Sequence, residues 1–293
     1  MCLYITSLNS GSNGNCYYVG NEREAVLIDA GISCRETEKR MARLGLGMDK
    51  VKAIFVSHEH SDHIRGISVL ARKFQLPVYI SPNTHRNGGI TIGDHLLRLF
   101  SSFEEIRIGD LLIRTFPKIH DAAEPHSFTI SGGSVTVGVF TDLGAPCEQL
   151  IHHFRQCHAA FLEANYDPDM LEGGRYPYHL KRRISGGRGH LSNIQALDLF
   201  RTHRSPYLSH LLLSHLSKDN NCPKLVEDLF SMHAGPTRIV VASRYEESPV
   251  FRIAAGDPAS LPAPIYAGLP KPAEKEKPVI MQHDNGLQMS LFE

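Results

Sequence analysis

Within six residues, His58, His60, Asp62 and His63 offer three imidazoles and a carboxylate in the order H-x-H-x-D-H. The apolar run Ala53-Ile54-Phe55-Val56-Ser57 just before them has the length and β-rich composition of a buried strand. A loop leaving such a strand can turn several side chains into one small volume, which a continuing strand or helix could not. Nitrogen and oxygen donors at that density suit a pair of divalent ions of the zinc, manganese or iron class. The plainer reading is a solvated, His-rich turn.

The elements that must position these side chains follow the same alternation along the chain. Residues 3–8 read as a strand entering the small polar turn Asn9-Ser10-Gly11-Ser12-Asn13-Gly14-Asn15, and 16–20 with 25–29 read as a hairpin pair. Ser33 and Glu36 have capping-box spacing for a helix to about Leu44. A helix is expected over 63–73 and a strand over 77–80, whereas Pro82, Gly88, Gly89 and Gly93 make 81–104 a helix-poor excursion or lid. Strands follow at 110–116, 128–130 and 135–140, the last two joined through Gly132-Gly133. A helix over 147–154 precedes the apolar run 159–163, and 167–190 reads as loop-rich and basic. Ser192 caps a helix to about Thr202, and a strand over 207–214, a helix over 219–233 and a strand over 238–242 complete the pattern. Repeated strand-then-helix units with polar residues at strand ends point to an α/β fold of layered sheets covered by helices.

Composition sets bounds on this reading. The chain of 293 residues is 42% hydrophobic and 21% charged, as in globular proteins. Lys+Arg and Asp+Glu balance at 31 each, so any anion site must be local. The 17 histidines exceed what core packing calls for. Six scattered cysteines with no C-x-x-C pair disfavour a disulfide framework or a zinc ribbon and suit a reducing cytoplasm. Neither a signal-peptide pattern nor an apolar run of membrane-spanning length is present, so no membrane association is expected. Beyond Ser248, seven prolines and alternating Lys and Glu indicate a disordered tail over 248–293 after a catalytic domain over 1–247.

The metal segment resembles that of the metallo-β-lactamase-fold hydrolases. With L-N-S-G-S-N-G-N, H-D-A-A-E-P, T-D-L-G, G-R-Y-P-Y-x-L-K-R-R-I, G-H-L-S-N and H-L-S-K-D-N-N, the chain over about 2–245 resembles the bacterial YycJ/WalJ group. Asn13 stands where that group usually has a second Ser, and 81–104 is poorly matched. The resemblance implies an αββα sandwich of two weakly similar halves (about 1–120 and 121–245) with the site along one edge of its sheets. It makes His120 the third histidine of one ion's set, Asp142 the bridging ligand and His215 the last histidine of the other set. Asp29 would support a ligating histidine, and Asn15, Glu163 and Asn165 would line the pocket or be structural.

The same resemblance implies a dinuclear phosphodiesterase acting 5′-to-3′ on duplex DNA, with a hydroxide between the ions as nucleophile and Asp62 orienting it. Lys181, Arg182, Arg183, Arg188, Ser192 and Asn193 are the expected phosphate pocket, with Gly186, Gly187 and Gly189 permitting close backbone approach. His190, in G-H-L-S, is assigned to the scissile phosphate and to protonating the leaving 3′ oxygen. The final Gln288-Met289-Ser290-Leu291-Phe292 resembles the peptide that docks on the bacterial sliding clamp through Gln288, Met289, Leu291 and Phe292. Two other readings stay open: a hydrolase of a small phosphodiester or thioester, and a non-catalytic adaptor for the clamp or for cell-wall signalling.

Overall fold

The computed structural model describes residues 2–256 and contains two seven-stranded mixed sheets. The first is formed by β1 (Leu3–Asn9), β2 (Cys16–Gly20), β3 (Ala25–Ile28), β4 (Val51–Phe55), β5 (Val78–Ile80) and β6 (Leu97–Leu99), with β14 (Phe251–Ile253) beside β1. The second runs from β7 (Glu105–Ile108) through β8 (Leu111–Pro117), β9 (His126–Gly132), β10 (Val135–Phe140), β11 (Ala159–Glu163) and β12 (His210–Ser214) to β13 (Arg238–Val241). In each sheet an antiparallel meander (β1–β3, β8–β10) turns into a parallel series (β3–β6, β10–β13). The two halves therefore repeat one plan. The division falls near residue 100 rather than 120, because β7 and β8 already belong to the second sheet.

Strand composition fixes the layers. Alternate residues of β1, β2, β3, β9, β10 and β11, among them Ile5, Tyr17, Val26, Phe128, Val137 and Phe161, meet between the sheets, and all six are fully buried. Each large apolar side chain placed there contributes about 1.5–3 kcal/mol. Their opposite faces pack under helices. α1 (Cys34–Arg43) and α3 (Ile67–Phe74) cover the first sheet through Met41, Ile67 and Leu70. α5 (Glu148–Phe154), α8 (Asn193–His203) and α9 (Pro223–Ser231) cover the second through Phe154, Phe200 and Phe230. The result is a four-layer αββα sandwich.

Several local expectations are corrected. The helix expected over 63–73 is two pieces, α2 (Ser61–Ile64) and α3, separated at Gly66. There the chain presses on its neighbours: Gly66 N–H donates to the Ala30 carbonyl at 2.8 Å, and a β-carbon would come within 2.0 Å of the Ile32 carbonyl oxygen. Residues 81–104 are no loose excursion. They contain α4 (Pro82–Gly88), started by Pro82 and closed by Gly89 at φ +58°, and the edge strand β6. Residues 167–190 hold two short helices, α6 (Pro168–Gly173), capped by Asp167, and α7 (Tyr178–Ser185). Only half of the Ser33 capping box forms, since Glu36 pairs with Arg40 at 2.8 Å instead. The sheet also continues past residue 247, because Phe251 and Ile253 are buried against the inter-sheet core. Gln288, Met289, Leu291 and Phe292 lie outside the described residues. No helix among the described residues is long and apolar enough to cross a membrane.

Candidate metal centre

The ends of β3, β4, β8, β10, β11 and β12 converge on one edge of the sandwich. Five non-glycine residues among those described adopt positive φ, and three of them belong here: Asp29 (61°), Asp142 (54°) and His215 (57°). Left-handed backbone costs such residues energy. At these strand ends it turns each side chain out of the sheet and toward the others.

Backbone bonds knit three segments beneath the metal loop. Asn15 N–H donates to the Asp62 carbonyl at 2.7 Å, Gly31 N–H to Asn15 at 2.8 Å and Ala30 N–H to His63 at 2.9 Å. Gly31 has no alternative, because a β-carbon there would sit 1.6 Å from the Asp62 carbonyl oxygen.

His58, His60 and His120 each bring a ring nitrogen within 4.8 Å of the others; the carboxylate oxygen and ring nitrogens of Asp62, His63 and His215 lie equally close, as do those of His58, His63 and Asp142. Asp142 joins the two sides. Its Oδ1 is 4.0 Å from His58 Nε2, 3.9 Å from His120 Nε2 and 3.5 Å from His215 Nε2, and its Oδ2 is 3.1 Å from His63 Nε2.

Four of the five rings are tied down on their far side, whereas His60 turns its Nδ1 toward His58 Nε2 (3.0 Å) and His120 Nε2 (3.3 Å). His63 Nδ1 meets the Asp29 carboxylate at 2.7 Å, His120 Nδ1 the Gly189 carbonyl at 2.9 Å and His215 Nδ1 Glu163 Oε1 at 3.1 Å. Ser57 Oγ donates to Asp29 at 2.8 Å, which leaves it to accept from His58 Nδ1 at 2.9 Å. These acceptors keep the proton on Nδ1 and aim Nε2 inward, the arrangement a ligating histidine needs. The buried Oδ2 of Asp142 accepts no well-aligned hydrogen bond. An orphaned carboxylate oxygen among convergent imidazoles fits divalent cations. His58, His60 and His120 would hold one, Asp62, His63 and His215 the other, and Asp142 would lie between.

The electrostatics agree. Burial pushes His58 down, and it pushes His120 to about 4. Burial alone would lower His63 and His215 too, but Asp142, with Asp29 and Asp62 for the first and Asp62 and Glu163 for the second, raises both, His215 to about 10. Cation binding must therefore displace protons from these two rings.

Sequence reasoning gave Glu163 no definite role. Fully buried, it accepts from His215 and from His190 Nδ1 (2.8 Å) through Oε1, and from the Leu143 and Leu191 amides (2.7 and 3.1 Å) through Oε2. Burial would raise this carboxyl, yet the two histidines hold it below its usual range. Lys118 was also missed: it is buried, and its ammonium donates to the Thr141 carbonyl at 2.7 Å. Its position two residues before His120 is the one sequence signal that could have drawn notice. Asn15 was singled out, and its Nδ2 donates to Asp62 Oδ2 at 3.1 Å and lies 3.0 Å from His63 Nε2. Asn165 Nδ2 donates to the His215 carbonyl at 2.7 Å.

The expected phosphate residues divide. Arg182 and Arg188 are exposed, Arg182 lying 5.9 Å from the Tyr178 ring centroid. Lys181 donates to the Glu172 carbonyl, and Arg183 pairs with Asp121 at 2.6 Å. Ser192 and Asn193 turn inward instead. The Ser192 hydroxyl forms a capping box with Gln195, and the buried Asn193 amide exchanges hydrogen bonds with Asn221. Gly189 serves protein packing: a β-carbon would meet the Arg183 and Ile184 carbonyls at 2.2 and 2.3 Å.

A model of the metallo-beta-lactamase superfamily matches residues 10–156. Exodeoxyribonuclease YycJ of Bacillus anthracis is 36% identical over 230 residues, 77% of this chain and 86% of that protein. Exodeoxyribonuclease WalJ of Streptococcus pneumoniae strain D39 is 31% identical over 225 residues, 74% of this chain and 83% of that one. The metallo-beta-lactamase fold protein YhfI from Bacillus subtilis shares the fold, with a TM-score of 0.68 at 18% identity over 86% of this chain and 99% of its own. With this ligand geometry and these relatives, the chain belongs to the metallo-β-lactamase superfamily, in the group of YycJ and WalJ, and is a metal-dependent hydrolase.

Proposed function

We propose that the protein is a dinuclear metal-dependent phosphodiesterase that degrades duplex DNA from its 5′ ends. The observation that carries this reading is the Glu163–His190 pair standing against the two ligand groups. His190 packs 5.5 Å from the His120 ring and 5.1 Å from the His215 ring, centroid to centroid, and its Nδ1 is fixed by Glu163 at 2.8 Å. That bond leaves Nε2 as the atom available to a substrate oxygen. A histidine held this way can bind the scissile phosphate and deliver a proton to the leaving 3′ oxygen. Two divalent cations, when bound, activate water and neutralise charge on the attacked phosphate. Asp62, steadied by Asn15, orients the water and takes its proton. Arg182 and Arg188 supply the local positive charge that the balanced overall composition does not. The names of the two curated relatives support DNA as the substrate.

The test is hydrolysis of a 5′-phosphorylated, 3′-labelled duplex with Mn or Zn added. Stepwise loss from the 5′ end is expected, abolished in Asp62→Ala and slowed in His190→Ala. An intact duplex in the presence of bound metal would sink the DNA reading and turn attention to small phosphodiesters and thioesters. Clamp docking through residues 288–292 is a separate proposal, tested by whether removal of those residues abolishes co-elution with purified sliding clamp.

A further inference from the structure

Tyr17 lies in the core between the two sheets, its ring centroid 4.9 Å from that of Phe161, and its hydroxyl reaches the Asn9–Asn15 turn. There it lies 2.8 Å from Ser10 Oγ and donates to Asn15 Oδ1 at 3.2 Å. Ser10 Oγ also accepts from the His215 N–H at 2.8 Å, and Asn15 Nδ2 donates to Asp62 Oδ2 at 3.1 Å. Ser10, Asn15 and Tyr17 are all buried.

The chemistry of these groups fixes the direction of every bond. An amide oxygen can only accept, so Tyr17 gives its single proton to Asn15 and must accept from Ser10. Ser10 in turn takes the His215 N–H on its oxygen. The chain therefore runs from His215 through Ser10 and Tyr17 to Asn15, and the far side of the Asn15 amide continues it to Asp62. Gly11 holds that amide the same way round, its N–H donating to Oδ1 at 2.9 Å and its carbonyl accepting from Nδ2 at 3.2 Å. Hydrogen bonds aligned in one direction polarise and strengthen one another.

The two ends of the chain are ligands of the same candidate ion. Asp62 follows β4 of the first sheet and His215 follows β12 of the second, so no ladder of strand hydrogen bonds sets their spacing. Asp62 Oδ2 nevertheless stands 3.4 Å from His215 Nε2. The bonds given above reach neither His58, His60 nor His120.

We propose that Tyr17 is a positioning residue for the cation of the Asp62, His63 and His215 set. Through Ser10 and Asn15 its hydroxyl sets the spacing of Asp62 and His215, and with it the affinity of that site, while the site of His58, His60 and His120 is untouched. In distinguishing two ions this rests on the dinuclear reading above.

The experiment titrates the full chain, stripped of metal, with cobalt(II), followed by calorimetry and by the visible absorption of the bound ion. Tyr17→Phe keeps the ring against Phe161 and removes only the hydroxyl. It is compared with its parent in three backgrounds: wild type, His60→Ala, which disables the first ligand set, and Asp62→Ala, which disables the second. In His60→Ala the added Tyr17→Phe should weaken cobalt about threefold to tenfold, as the loss of one hydrogen bond would, and alter its spectrum. In Asp62→Ala neither affinity nor spectrum should change. Ser10→Ala breaks the chain one bond earlier, serves where Tyr17→Phe fails to fold, and should weaken the same ion at least as much. Together the two changes should cost less than the sum of each alone. Equal weakening in both disabled backgrounds would mark a general loosening and overturn the positioning role, as would no weakening in either. A wild type that holds one ion, kept in His60→Ala and lost in Asp62→Ala, removes the dinuclear reading, and a loss in Tyr17→Phe then still upholds the role. One ion that survives Asp62→Ala and disappears in His60→Ala overturns both.

Discussion

Oε1 of Glu163 lies 2.8 Å from Nδ1 of His190, and the same oxygen lies 3.1 Å from Nδ1 of His215. One carboxylate thus orients a ring of the candidate metal centre and the ring beside it that the proposed mechanism turns toward substrate. Its other oxygen holds the Leu143 and Leu191 amides, so it also sets the spacing of the two loops that carry Asp142 and His190.

Glu163→Gln should therefore damage two functions together. The neutral amide removes the charge that both imidazoles face, and its NH₂ group meets amide donors where an acceptor is needed. We expect metal affinity to fall about 10–100-fold, the range seen when a partner of a ligating histidine is lost. Turnover should fall about 10²–10⁴-fold, as when a general acid is removed. His190→Ala should reproduce the second effect without the first. Metal titration by calorimetry beside kcat separates them, and normal metal affinity in Glu163→Gln would refute the shared role.

Gly31→Ala tests the backbone weave under Asp62. The new β-carbon would meet the Asp62 carbonyl oxygen at 1.6 Å and the Asn15 nitrogen at 2.7 Å, both main-chain atoms that cannot swing aside. Relief requires the metal loop to move, at a cost of about 1–3 kcal/mol or more. Asp62 and His63 should be displaced with it, so metal binding weakens. Gly45→Ala is the control: its φ of +68° imposes backbone strain, but nothing lies within 4 Å of the new carbon. Urea unfolding with and without metal should show Gly31→Ala losing both stability and metal response, and Gly45→Ala losing only modest stability.

How much of this was legible in the chain depends on where the signal resides. His58, His60, Asp62 and His63 declare themselves because four donors occupy six residues after an apolar strand. His120, Asp142 and His215 are single polar residues at strand ends, and their order along a familiar sandwich is what made them readable. Glu163 and Lys118 could not be read that way. A buried charge leaves no periodic trace, and its purpose exists only in its bonds to loops distant in sequence. Ser192 and Asn193 show the converse difficulty. A helix N-terminus beside glycines resembles an anion cradle, but whether its side chains face out or serve Gln195 and Asn221 is settled by packing. The strands β6 and β14 were lost for a simpler reason: three residues at a sheet edge are too short for a two-residue alternation to register.

Lys118→Met addresses the buried cation. Burial lowers the lysine, and Asp142, Asp29, Glu163 and Asp62 oppose that by favouring its charged form. Removing the ammonium leaves the Thr141 carbonyl without its donor and the carboxylates with one cation fewer. Breaking a buried charge arrangement in this way costs about 3–5 kcal/mol. The loss should be largest in chelator and smaller with metal present, because divalent cations neutralise the same carboxylates. Urea midpoints measured both ways check this, and an equal loss in both conditions would contradict it.

His153 predicts a pH dependence away from the metal centre. Its ring stacks on Phe116 at 4.0 Å with 14° between planes. Burial, then the charges of His152 and Arg114, lower it to about 4 from the ordinary 6.5. A histidine kept neutral in the fold takes up its proton more readily when unfolded. Between these two values the unfolded chain binds more protons, so stability rises with pH. The contribution is complete above about pH 6.5 and is lost as the pH falls toward 4. At pH 5 the loss is about 2 kcal/mol by linkage. His153→Phe keeps an aromatic face against Phe116 and has no proton to bind. The difference in unfolding free energy between wild type and His153→Phe, measured by urea at pH 7 and pH 5, should shift toward the variant by about that amount at the lower pH. An unchanged difference would mean that His153 is solvated enough to titrate normally in the folded protein.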